Sequence, residues 1–121
     1  MTKSAKAKHD WYIRNKAEVY NRNKIRRQQR KTMMQRFLSY QKCCVCGESE
    51  NVCLDFHHIN EQIKKDEVMR MLNSFRSIKD VAAEMNKCCI VCSNCHRKIH
   101  AGLIVSDTLN IINVNESALS G

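Results

Sequence analysis

The stretch Cys92-Ser93-Asn94-Cys95-His96-Arg97-Lys98-Ile99-His100 joins two metal-ligand patterns. Cys92 and Cys95 have the C-x-x-C spacing of half a tetrahedral zinc site. His96 and His100 stand four apart, so on a helix they project from one face, one turn from each other. Each half-site needs a complement elsewhere in the chain. Cys43 and Cys46, followed by Gly47, offer a second thiolate pair. Together the four thiolates make the closed shell of a structural Zn2+, whose binding would contribute much of the folding energy. His57, His96 and His100 can gather three imidazoles on a second cation and leave positions open for water and substrate, as a catalytic site requires. His58 is expected to point away from His57 and stay free, a candidate general base near neutral pH. Vicinal histidines are often incidental surface residues, but four of the five histidines here fall in these two places. His9 receives no role.

Size and composition agree with a stapled domain. The chain has 121 residues, 43% apolar content, no proline and three glycines. A small core needing a metal or similar staple is expected. Eight cysteines allow a disulfide framework or metal sites. The basic N-terminus has no apolar run behind it, so an intracellular, reducing location is expected, where disulfides are disfavoured. No window approaches the roughly 18 apolar residues of a membrane span. The net charge of +9 is unevenly spread: residues 1–42 carry 13 Lys/Arg and 2 Asp/Glu, residues 43–121 carry 8 and 10. A concentrated basic segment on a near-neutral domain points to a polyanion partner, most simply nucleic acid. The plainer reading is a solvated arm.

These sites must be positioned by the intervening elements. Residues 8–42 contain no helix breaker and read as one long helix or two stacked ones. In it Arg14, Lys16, Arg22, Lys24, Arg26, Arg27, Arg30 and Lys31 are candidate phosphate contacts. Trp11, Tyr12 and Tyr20 are expected to pack on the domain, with base stacking the alternative. A boundary falls at Gln41–Lys42. Val52–Phe56 alternates as a strand running into the histidine pair. Two helices follow, over Asp66–Asn73 and from the cap Ser77-Ile78-Lys79-Asp80. Lys87–Val91 reads as a strand. Cys89 and Cys92 also have C-x-x-C spacing, but Ser93-Asn94 turns more readily than Ile90-Val91, which favours Cys92 and Cys95 as the knuckle. The helix carrying His96 and His100 should stop at Gly102. Residues 103–121 read as a tail or short hairpin.

Cys43-x-x-Cys46-Gly47, Leu54-Asp55-Phe56-His57-His58-Ile59 and Cys92-x-x-Cys95-His96-x-x-x-His100 resemble the HNH nuclease superfamily with its ββα-metal motif, in the subgroup with two zinc knuckles common in phages and mobile elements. The resemblance spans residues 43–102. It implies an α+β fold: a small zinc-stapled ββα-metal domain, here with a long basic helical arm at residues 1–42. It implies His57 as first ligand of a catalytic cation (Mg2+, Mn2+ or Zn2+), His58 as general base, and His96 and His100 as ligands on the helix. The central Asn that braces the base-bearing loop falls on Lys87 here, so Lys87 or the neighbouring Asn86 would take that role. The expected activity is metal-dependent hydrolysis of DNA to 5′-phosphate and 3′-hydroxyl ends, as in a phage-type homing endonuclease. RNA as substrate and a non-catalytic zinc-dependent nucleic-acid-binding module are the alternatives.

Overall fold

The computed structural model describes residues 2–120. One helix, α1, runs from Lys3 to Leu38, capped by the Thr2 hydroxyl, which accepts from the Ala5 N–H at 3.1 Å. At 1.5 Å per residue it is about 54 Å long. Its two ends differ in kind. Met34 and Leu38 are buried in the main core, and Met33 and Phe37 pack against it. Trp11, Tyr12, Ile13, Tyr20 and Ile25 are exposed instead. The aromatics expected to pack on the domain therefore do not. Helical spacing alone did not reveal this: among the described residues, the earliest α1 side chain hydrogen-bonded to another element is Arg27.

The expected boundary at Gln41–Lys42 does not separate two cores, because the last turns of α1 belong to the domain's own core. Three arginines reinforce that docking. Arg30 donates to the Leu72 carbonyl and the Arg76 carbonyl, both at 2.6 Å, and Arg27 to the Asn73 carbonyl at 3.3 Å. These carbonyls surround the C-terminal end of α2 (Val68–Asn73), the negative end of a helix dipole. Arg26 lies 4.1 Å over the Phe75 ring, and Phe75 itself sits at φ 63° just beyond the helix. A bulky residue there is strained, and the guanidinium stack holds it.

The sheet has two antiparallel strands, β1 (Leu54–His58) and β2 (Cys88–Cys92), with His57 opposite Cys89 and His58 opposite Cys88. β1 thus begins two residues later than expected and continues through both histidines. β2 is buried along its whole length. Its other edge is occupied by loops: Cys44 N–H donates to Ile90 and Ile112 N–H to the Cys88 carbonyl. α3 (Ile78–Met85) starts at the expected cap, Ser77 accepting from Asp80 N–H at 3.1 Å, and buries Val81, Ala82 and Met85. α4 (Ser93–His100) ends where Gly102 adopts φ 78° and Leu103 N–H reaches back to the Lys98 carbonyl, a conformation suited to glycine. Residues 103–115 form no hairpin. They cross the domain as a strap, pinned where Asn86 exchanges two 2.8 Å hydrogen bonds with the Val114 backbone. The last described element is α5 (Glu116–Ser120), with Leu119 buried. No described helix is long and apolar enough to cross a membrane.

Candidate functional site

The two knuckles meet. The ligand atoms of Cys43, Cys46, Cys92 and Cys95 all lie within 4.8 Å of one another, and Cys46 Sγ is 3.6 Å from Cys92 Sγ. Tetrahedral bonds of about 2.3 Å place sulfurs roughly 3.8 Å apart, so the donor set fits a single Zn2+. Local structure prepares it. Gly47 at φ 83° closes the first knuckle, and Val45 and Cys46 N–H groups point at Cys43 Sγ, each at 3.4 Å. In the second knuckle Cys92 is the N-cap of α4, and its sulfur accepts from Cys95 N–H at 3.4 Å. Burial acts to raise the Cys43 thiol, but N–H donors from Cys46, Cys92 and Val45 outweigh it and hold it at about 6. Burial and the neighbouring thiols push Cys95 up to about 12. Four apposed thiols cannot all ionise unaided, and a dication resolves the conflict. Cys44, Cys53, Cys88 and Cys89 lie outside this group, as the turn argument expected of Cys89.

The second group is His57, His96 and His100, whose ligand atoms also fall within 4.8 Å of one another. Ring centroids stand 5.1 Å (His57–His96), 5.3 Å (His57–His100) and 4.8 Å (His96–His100) apart. His57 is buried in the sheet, His96 half-buried and His100 exposed, so the cluster opens to solvent on one side. Burial, then the charges of His96 and His100, lower the pKa of His57 and favour its neutral, metal-ligating form. Asp55 lies two residues before His57, hence on the same face of β1. Its Oδ2 is 3.1 Å from His96 Nδ1. That contact directs Nε2 of His96 toward the cluster, the usual arrangement by which a carboxylate orients a ligating imidazole. The period of two in β1 would have pointed to Asp55 beforehand. Asp55→Ala should weaken cation binding at the three imidazoles by about 10- to 100-fold with little change in melting temperature. Calorimetric titration of a zinc-stapled sample measures this, and unchanged affinity would remove Asp55 from the site.

His58 departs from expectation. It is not free: the alternation of β1 turns it to the opposite face, where it is 3% exposed and its Nε2 lies 2.8 Å from Glu84 Oε2 on α3. Lys87 braces the loop after β1. Its carbonyl accepts from Ile59 N–H at 3.1 Å, and its Nζ donates to the Ile63 carbonyl and Glu84 Oε1, both at 2.9 Å. Asn86 holds the C-terminal strap instead. Of the arm residues, Arg14, Lys16, Arg22, Lys24 and Lys31 are exposed; Arg26 and Arg27, also exposed, and the half-buried Arg30 are engaged around Phe75 and the end of α2.

Fold and sites together define a small α+β protein in which four cysteines and three histidines form two clusters able to bind metal ions. No family model, curated protein or solved structure matches the chain.

Proposed function

We propose that the protein is a metal-dependent nuclease that hydrolyses DNA phosphodiester bonds in the manner of the HNH superfamily it resembles. The observation that carries this reading is the convergence of His57, His96 and His100 on one solvent-facing point from a strand and a helix. The order β1, β2, α4 is that of a ββα-metal motif. A divalent cation bound there supplies charge neutralisation at the phosphate and at the departing oxygen. The chain's own residues supply the rest. In-line displacement needs the proton acceptor on the side of phosphorus opposite the leaving group. The alternation at the end of β1 puts His57 and His58 on opposite faces, so His58 is not a fourth ligand of the same cation. Water attacks phosphorus, its proton passes to His58, and the bond to the 3′ oxygen breaks. Protonation of that oxygen from solvent completes a 5′-phosphate and a 3′-hydroxyl.

The exposed half of α1 carries Arg14, Lys16, Arg22 and Lys24 beside Trp11, Tyr12, Ile13 and Tyr20, and such a basic helix gains order against a polyanion. Replacing Arg14, Lys16, Arg22 and Lys24 together by Gln should reduce the slope of log K against log salt by about 3 to 4. Arg30→Gln should act on the melting temperature instead, because Arg30 is tied to α2. An unchanged salt slope in the fourfold variant would dismiss the arm as a nucleic-acid contact.

The direct test is nicking of supercoiled plasmid with added Mg2+ or Mn2+ and a chelator control. A non-catalytic zinc-dependent nucleic-acid-binding module is the second reading, favoured by the burial of His58. Salt-sensitive DNA binding with no nicking under any cation would decide for it.

A further inference from the structure

Glu84 is the one buried carboxylate among the described residues, 1% exposed. Three donors converge on it. His58 Nε2 lies 2.8 Å and Lys65 N–H 3.0 Å from Oε2, and Lys87 Nζ 2.9 Å from Oε1. Burial alone would raise its pKa, but the Lys87, Lys65 and His58 hydrogen bonds more than offset that and lower it, so the carboxylate is ionised at neutral pH. An ionised carboxylate only accepts. The hydrogen bond between Glu84 and His58 is therefore donated by Nε2–H, and in the neutral imidazole that arrangement places the lone pair on Nδ1. Every buried side-chain nitrogen or oxygen among the described residues has a hydrogen-bond partner. No hydrogen bond to Nδ1 occurs among the described residues, so this nitrogen keeps a sliver of exposure although the His58 side chain is only 2% exposed.

We propose that Glu84 is a positioning residue that locks His58 as the Nε2–H tautomer and presents Nδ1 as the proton acceptor. The same carboxylate holds the loop after β1 through Lys65 and Lys87, so ring orientation and loop position are set by one group. The catalytic consequence rests on the nuclease reading above; the tautomer does not.

The test uses the full chain, zinc-loaded and 15N-labelled. Long-range 1H–15N correlation should show His58 protonated at Nε2 with Nδ1 bare. In Glu84→Gln a single amide oxygen serves either Lys87 or the Lys65–His58 pair, so the His58 signals should become a mixture of tautomers. In nicking assays Glu84→Gln should lower kcat by about 10²- to 10⁴-fold, the range for a positioned general base. KM and cation affinity should stay within about threefold, and Glu84→Asp should recover part of the loss. In a His58→Gln background, Glu84→Gln should cost nothing further, because both act through one proton acceptor. A purely structural Glu84 predicts the same loss in both backgrounds, and that result overturns the proposal. So does a wild-type His58 protonated at Nδ1, a measurement that needs no variant to fold. A wild type with the expected tautomer but no nicking under any cation refutes the nuclease reading, and with it the catalytic consequence, and leaves the tautomer lock standing.

Discussion

Removing metal from the four-thiolate cluster should unfold the domain. Cys43 and Cys46 lie in a segment without regular structure, residues 39–50, that is joined to the sheet chiefly by Cys44 N–H on Ile90. Cys92 and Cys95 occupy the turn that sets the first residue of α4. Binding free energies at structural zinc sites are on the order of 10–16 kcal/mol in small zinc-finger peptides. The net stability of a domain is only about 5–15 kcal/mol. Loss of the cation therefore removes a free energy as large as the whole. Cys92→Ser, or chelator added to the wild type, should abolish the cooperative thermal transition or lower it by more than about 20 °C. Metal content should fall by one equivalent per chain. Cys44→Ser and Cys53→Ser are the controls. Both residues lie outside the cluster and neither is buried, so changes should stay within about 0.5 kcal/mol. A Cys92→Ser protein that melts like the wild type would show that the thiolates hold nothing of structural weight.

The second large effect should separate the proposed ligands from the proposed proton acceptor. His57→Ala, His96→Ala and His100→Ala each remove an imidazole from the open cluster. Each should weaken cation binding by at least about 100-fold, more than loss of the orienting carboxylate behind it, and suppress nicking with it. His58 faces the other way, so its loss should leave cation affinity intact while nicking falls by about 10²- to 10⁴-fold. Alanine is a poor probe there, because it strands the buried Glu84 carboxylate without its His partner. His58→Gln keeps a donor toward Glu84 and is the cleaner variant. Nicking that survives His58→Gln at the wild-type rate would reassign His58 to packing.

Much of the ligand arrangement was readable in the chain because it rests on local spacing. C-x-x-C turns, a four-residue helical repeat and a glycine stop depend on contacts within a few residues, and the two clusters contain the side chains that these rules selected. Asp55 was readable too, from the period of two in β1. The Ser77 cap and the Gly102 stop needed no tertiary information. The helical character of residues 8–42 was readable too, since no breaker falls there, but a single helix rather than two, and its stop at Leu38, were not.

Other features depend on which element covers which face. Whether Trp11, Tyr12 and Tyr20 are buried depends on what stands beside α1, and helical spacing carries no such information. Arg26, Arg27 and Arg30 look like their exposed neighbours in sequence, yet the end of α2 and Phe75 take them up. His58 is the sharpest case. Its chemistry and its opposition to His57 follow from residue type and strand alternation. Its burial and its bond to Glu84 arise only because α3 packs on that face of the sheet and brings together residues 26 apart in the chain. Spacing rules act over one turn or one strand repeat. Pairing of a buried imidazole with a buried carboxylate is set by docking, and docking is decided by the core as a whole.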